Sequence, residues 1–291
     1  GGADDDEYGG EPMFSLDKVE FRPTSSIVHM AVCNNVVVLA LANCHVFRLH
    51  LDGGTEAEDI EVSRRPDDRI HKLHLDPSGK HLIISLASQE NLYLHASWGK
   101  PKILPKLRGI LVESVAWDAA NTSPTCTQEI LIGTANGKIY ETLIEATDKG
   151  FVDRLVGGKE QYFKQVYRLP TSAAIVGLRA YRFPVKLKSQ QRLFVVATTA
   201  QRLYQFIGGP TFEELFKYYT ETLPSFMEVM GRIETSELTV YSKYHSLPKC
   251  FAWITAAGVY HGDLMFGSQG PTQSVVSDPS CMPYPPPSSA D

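Results

Sequence analysis

One hairpin is written five times in this chain, and few folds accommodate that. In QEILIGTANGKIYETLIEA, residues 128–146, Ile130, Leu131 and Ile132 form an apolar strand, Asn136-Gly137 is a turn dipeptide, and Ile139-Tyr140 opens the return strand. The same order recurs in NVVVLALANCHVFRLHL with Val46-Phe47 and in HLIISLASQENLYLHA with Leu92-Tyr93. It recurs again in RLFVVATTAQRLYQFIG with Leu203-Tyr204 and in KCFAWITAAGVYHGDL with Val259-Tyr260. The marker aromatics Phe47, Tyr93, Tyr140, Tyr204 and Tyr260 stand 46, 47, 64 and 56 positions apart. A unit of about 40 to 50 residues built from strands is the signature of a propeller blade, and the two longer spacings need only loop insertions. The spacing predicts an all-β chain, a β-propeller with at least five four-stranded blades, in which the repeated aromatics serve packing between blades.

Taken in order, residues 1–13 carry glycine and the acidic run ADDDE and are expected to be a disordered acidic N-terminus. Residues 14–266 are assigned to the propeller. Phe14 to Phe21 reads as a leading strand that joins the last blade, and VESVAW and AIVGLRAYRF read as inner strands. Residues 267–291, with SQGPTQSVVSDPS and PYPPPSS, read as a Pro/Ser-rich linker or loop without a core-forming pattern.

One stretch breaks the β pattern. In TFEELFKYYTETL, Phe212, Leu215, Phe216, Tyr219 and Leu223 recur at helical spacing, Thr211 with Glu214 makes a capping box, and Pro224 is positioned to stop the helix. Its apolar stripe either docks on the rim of the propeller or meets a partner, so Phe212, Leu215, Phe216 and Tyr219 are candidate interaction residues. A second candidate surface is the basic run Arg179, Arg182, Lys186, Lys188 and Arg192, which suits acidic lipid headgroups or the acidic face of a partner, or is a solvated loop.

Enzymatic signals are missing from the sequence. It contains no G-x-x-x-x-G-K-[ST], G-x-G-x-x-G, H-E-x-x-H or G-x-S-x-G. His45, His50, His71, His74, His81 and His95 cluster in sequence, but period-2 strands send them to different faces, so no metal set and no cofactor is implied. A propeller enzyme would place polar groups on its inner strands, where only His29, Glu113, Ser114 and Arg179 are available. The chain is read as non-catalytic. Lys and Arg number 28 against 33 Asp and Glu, and a net charge of −5 argues against a nucleic-acid binder. The five cysteines, Cys33, Cys44, Cys126, Cys250 and Cys281, form no C-x-x-C pair, which suits a reducing compartment. The lack of a long apolar run and the acidic N-terminus lead to the expectation of a soluble cytosolic protein.

The segments LFVVATTAQRLYQFIGG, followed by TFEELF, and KCFAWITAAGVYHGDLMFG resemble the N-terminal propeller of the vacuolar protein sorting-associated protein 18 family, also called the deep orange family. The resemblance runs from Phe14 to Phe266 and is carried most by the turn Tyr204 to Gly209 and by Phe251-Ala252-Trp253 leading into Gly258-Val259-Tyr260. It implies a seven-bladed propeller and a scaffold in the HOPS and CORVET tethering complexes, which hold endosomal, lysosomal or vacuolar membranes together before fusion. The implied partners are other tethering-complex subunits, with small GTPases or SNAREs met through the complex and membrane contact indirect. The implied location is cytoplasmic, peripheral on the late endosome, lysosome or vacuole membrane. In the family an α-solenoid and a RING finger follow the propeller; no cysteine pair here suits a RING ligand set, so ligase activity is not carried over. Pattern alone leaves open a propeller scaffold of another trafficking or nuclear-pore assembly, or a propeller hydrolase.

Overall fold

Gly137, the glycine of the Asn-Gly turn, has φ +79°, and a Cβ there would lie 2.8 Å from the carbonyl oxygen of Thr171. The turn is held by the hydroxyl of Thr134, which donates to Asn136 Oδ1 at 2.6 Å and accepts from Lys138 N at 3.0 Å. Hairpins of this kind organise the whole chain, for which a computed structural model describes residues 10–53, 56–146, 159–184, 190–243, 246–267 and 274–285. Blade one is β1 (Ile27–Cys33), β2 (Val36–Leu41), β3 (His45–His50) and β4 (Glu58–Glu61). Blade two is β5 (Ile70–Leu75), β6 (His81–Leu86), β7 (Asn91–His95) and β8 (Lys102–Ile103). Blade three is β9 (Val112–Ala116), β10 (Ile130–Thr134), β11 (Lys138–Glu145) and β12 (Lys159–Arg168). Blade four is β13 (Gly177–Phe183), β14 (Arg192–Thr198), β15 (Arg202–Gly208) and β16 (Ser225–Glu228). Blade five is β17 (Glu237–Tyr241), β18 (Cys250–Thr255), β19 (Gly258–Leu264) and β20 (Val276–Met282). Every sheet is a four-stranded antiparallel meander in sequence order, as the repeat predicts.

Because successive side chains leave a strand on opposite faces, each sheet has two faces to bury. Four buried clusters cement blade one to two, two to three, three to four and four to five. Among the described residues no core cluster joins blade five to blade one. The far flank of blade one holds Leu39, Leu41 and Phe47 under Phe21, while Ile27, Val28, Met30 and Val32 on β1 are at least half exposed. The described residues thus form an arc of five blades, where the family resemblance implies seven.

Three expectations are corrected. Phe14 to Phe21 is not a strand: it runs without regular structure, and Phe21 caps the blade-one flank edge-on to Phe47, with centroids 4.7 Å apart. The stretch expected to be a linker from 267 onward supplies β20, which pairs Val259 with Met282 and Leu264 with Val276, and Val275 and Val276 are buried. Asp278 sits at φ +49° beside a register shift at His261/Asp263, and Pro279 follows it, so this outer strand lacks the alternation that marks the others. Residues 1–9, 268–273 and 286–291 lie outside the described residues. The repeated aromatics differ in depth: Tyr93 and Tyr204 are fully buried between blades, whereas Tyr140, stacked on Phe163, and Tyr260, beside Trp253, are half-buried and pack against the same kind of inter-blade core.

The third correction concerns the helix, α1 (Phe212–Tyr218). Thr211 Oγ1 accepts from Glu214 N at 3.2 Å, as the cap predicts, but the helix ends well before Pro224. The Thr220 hydroxyl donates to Lys217 O at 2.7 Å, and the Tyr219 hydroxyl accepts from Ile207 N at 2.9 Å, which turns the last residues of the stripe back onto the sheet. Leu223, assigned to the stripe, is 74% exposed. Phe212, Leu215, Phe216 and Tyr219 are buried in the wedge between β12 and β15, where Phe216 stacks on Tyr167 at 5.3 Å. This helix is rim packing, and those four side chains are core instead of an exposed partner face.

Candidate interaction cleft between blades three and four

Where β9 leaves blade three the chain turns at Trp117 to Ala120. Asp118 Oδ1 accepts from Ala120 N at 3.0 Å, an Asx-turn that fixes the loop. The two alanines leave a hollow beside Trp117. On its other side β13 contributes Ala180, Tyr181 and Arg182, β14 contributes Leu193, the start of α1 contributes Phe212, and blade five contributes Ser246 and Leu247. Together with Glu129 they line a small open cleft whose interior volume is ≈ 30 Å³.

Two sequence candidates meet in this cleft. The Arg182 guanidinium carbon lies 5.6 Å from the centre of the Phe212 ring, within the range of a cation–π contact. Its Nη2 lies 3.7 Å from Glu129 Oε2, and its Nη1 donates to Pro210 O at 3.5 Å. Tyr181 is buried against Phe266, and burial pushes its phenol up to about 12, so it is a neutral group at physiological pH.

The other candidates are dispersed. Arg179 and Arg182 stand three positions apart on β13 and so project from opposite faces. Arg179 reaches the inner strand of blade five, with Nη2 3.5 Å from Leu238 O and Nη1 donating to Leu178 O at 3.0 Å. Arg192 lies over Phe183 at 6.0 Å, and Lys186 and Lys188 lie outside the described residues. Within the described part of the run, Arg179 and Arg182 do not share a surface.

Arg179 belongs to a series of polar links between neighbouring inner strands. His29 Nδ1 accepts from Leu73 N at 3.3 Å, Lys72 Nζ meets Glu113 Oε2 at 2.7 Å with His71 Nε2 2.8 Å from Oε1, and Ser114 Oγ donates to Ile175 O at 2.7 Å. Burial works to raise the Glu113 carboxyl, but hydrogen bonds from His71 and Lys72 outweigh it and hold that group at about 2. Glu113 is a blade-joining carboxylate kept ionised, which is the wrong state for a general acid. Burial, with help from Lys72, likewise lowers His29. Of the clustered histidines, His81 and His95 meet at 5.5 Å between blades two and three, while His45 pairs with Asp59 at 2.7 Å. Among the described residues no three His, Cys, Asp or Glu side chains are arranged to hold a metal ion.

Trp117, Glu129, Tyr181 and Leu247 were not singled out by sequence reasoning, because the cleft draws on segments more than a hundred positions apart. The one local signal is the pair Ala119-Ala120, one residue beyond Trp117, a small sequel to a large aromatic at a strand end.

Five antiparallel meanders joined by inter-blade cores define a β-propeller. The description "Pep3/Vps18/deep orange beta-propeller domain" matches residues 12–290, and the chain belongs to that family. It is 34% identical over 262 residues to a vacuolar protein sorting-associated protein 18 homolog of Danio rerio, covering 87% of this chain and 26% of the relative. It is 33% identical over 270 residues to vacuolar sorting protein 18 of Arabidopsis thaliana, covering 89% of this chain and again 26% of the relative. The chain therefore spans about a quarter of the length of the curated relatives it matches. Among solved structures, U3-55K matches with a TM-score of 0.51 at 12% identity, over 84% of this chain and 63% of that one, which is a likeness of fold alone.

Proposed function

We propose that this chain is a non-catalytic interaction scaffold within an endosomal or vacuolar membrane-tethering assembly of the HOPS and CORVET type. The observation that carries the reading is the family match over residues 12–290. The architecture suits it: blades cemented by continuous cores form a stiff body whose top, bottom and rim can engage several subunits, and modest interfaces then add through effective concentration. Glu113, the most perturbed carboxyl, serves to join blades. The partners are other tethering-complex subunits, with small GTPases or SNAREs met through the assembly. The location is the cytoplasmic surface of the late endosome, lysosome or vacuole, with membrane contact made through partners; among the described residues no helix is long and apolar enough to cross a membrane.

The test is deletion of this region from the full-length protein, followed by co-purification of the other subunits and a vesicle-tethering assay. Loss of both assembly and tethering is the expected result. Unchanged assembly and tethering would remove the scaffold reading.

A further inference from the structure

We propose that the open edge of β16 receives an extended, apolar segment of a protein partner as a fifth strand of blade four. The inference rests on the scaffold reading only in taking the occupant to be a protein. Blade four runs β13, β14, β15, β16, and among the described residues no strand pairs with the far side of β16. Opposite residues in an antiparallel pair alternate between those that exchange hydrogen bonds and those whose backbone groups point away. Val229 N donates to Gln201 O at 2.9 Å, which sets the alternation. Met227 and Ser225 then bond inward, opposite Leu203 and Gln205, while Phe226 and Glu228, opposite Tyr204 and Arg202, turn their N–H and C=O groups outward. These two donor–acceptor pairs, about 7 Å apart, match the repeat of an extended backbone. A helix spends its own N–H groups internally and cannot meet them.

Exposed edges are normally blunted against such pairing by charge, proline, brevity or a bulge. The other outer strands follow that rule. β4 exposes Glu58, Asp59 and Glu61, β8 has two residues, and β20 has Pro279 after Asp278 at φ +49°. β12 shifts register twice against β11 and packs beside α1 and a short 3-10 turn, Pro105–Leu107. β16 has only four residues, but they include no proline and no register shift. Its single charge, Glu228, is cancelled by Arg202, whose guanidinium carbon lies 4.4 Å from the centre of the Phe226 ring. Pro224 is buried ahead of the strand, and Leu223, Phe226 and Met230 are 74%, 42% and 87% exposed along it and at its ends. The outward backbone groups thus require a strand, and the neutral, apolar surroundings require large uncharged side chains on it. Pairing of β16 with its equivalent in a second copy is the competing occupant.

The probes are fluorescein-labelled octapeptides that alternate Val, Leu or Phe with Thr, titrated against the full-length protein. At least one should bind. On saturation, hydrogen exchange at the Phe226 and Glu228 amides should slow tenfold or more, while Met227, already bonded inward, stays unchanged. The same peptide methylated at every backbone nitrogen keeps its side chains but loses its donors, and should bind tenfold or more weaker. Phe226→Lys should weaken binding by a similar factor; if it also lowers the thermal midpoint, Met230→Lys, at a nearly fully exposed position, makes the same test. Failure of every peptide to bind, equal binding by the methylated peptide, indifference to both substitutions, or protection without the alternation would each overturn the proposal. A dimer in sedimentation that protects the Phe226 and Glu228 amides without peptide would assign the edge to a second copy and overturn it too. The deletion assay scores the scaffold reading separately, so strand addition can fail while tethering still depends on this region, and the reverse.

Discussion

Lys72 Nζ on the inner strand of blade two lies 2.7 Å from Glu113 Oε2 on the inner strand of blade three. The contact crosses between two separate sheets and, with His71 Nε2 on the same carboxylate and His95 Nε2 2.7 Å from Pro124 O, adds polar links to the apolar packing between blades two and three. The Glu113 side chain is 10% exposed and Lys72 is 27% exposed, which places the pair between a screened surface contact and a dry buried one.

Acid should therefore loosen this joint in a defined window. The Glu113 carboxyl is held at about 2, below its ordinary 4.5. A depressed folded-state value contributes stability that is complete above about pH 4.5 and is lost as pH falls toward 2. Glu113→Gln should be less stable than the parent at pH 7, by on the order of 2–3 kcal/mol, and should show a flatter stability curve between pH 4.5 and 2. Denaturant unfolding at a series of pH values checks this; parallel curves for the two proteins would refute it.

His74 governs a different window. The residue is half-buried, its Nε2 is shielded from solvent with no partner among the described residues, and burial, with Lys72 adding to it, holds the imidazole at about 3. The native state thus refuses a proton that the unfolded chain accepts, and stability present above pH 6.5 falls as pH drops toward 3. His74→Leu should reduce the slope between pH 6.5 and 4.5, where Glu113 does not yet contribute and His29 and His81, also lowered by burial, supply the remainder. A slope unchanged in the variant would show that His74 is not its source.

The rim helix offers a paired comparison on one stripe. Phe216 is fully buried against Tyr167 and Phe206, while Leu223 is largely exposed. Phe216→Ala should cost about 3–5 kcal/mol and Leu223→Ala less than about 0.5 kcal/mol. Comparable losses in chemical denaturation would mean that the stripe extends to Leu223 after all.

The parts of this molecule visible in its sequence are those written by local rules. The hairpins are legible because an apolar strand, a small turn and a returning aromatic act within about twenty residues, and β10 with β11 follow that order through Gly137. Blade five's outer strand is not legible: β20 is an edge with Asp278 at positive φ and Pro279 after it, so only Val275 and Val276 carry an apolar signal. The helix was legible in its start and its face, but its end is set by the Tyr219 hydroxyl reaching Ile207, a contact with another strand. Arg179 and Arg182 looked like one surface until strand alternation separated them. The cleft was illegible because Trp117, Arg182, Phe212 and Leu247 converge only after the blades have stacked.

The missing core between blades five and one makes the described unit a linear array in its energetics. Each inner blade is held by two neighbours, but blade one is held by blade two alone, and its β1 flank keeps Met30 and Val32 in water. In such an array stability is a sum of unit and nearest-neighbour terms, so opening begins at the ends and travels inward. Blade one becomes the first unit to exchange its amide hydrogens, and blade three, cemented on both sides, the last. A contact that covers the β1 flank would act like a keystone, raising the cooperativity of every blade without touching most of them.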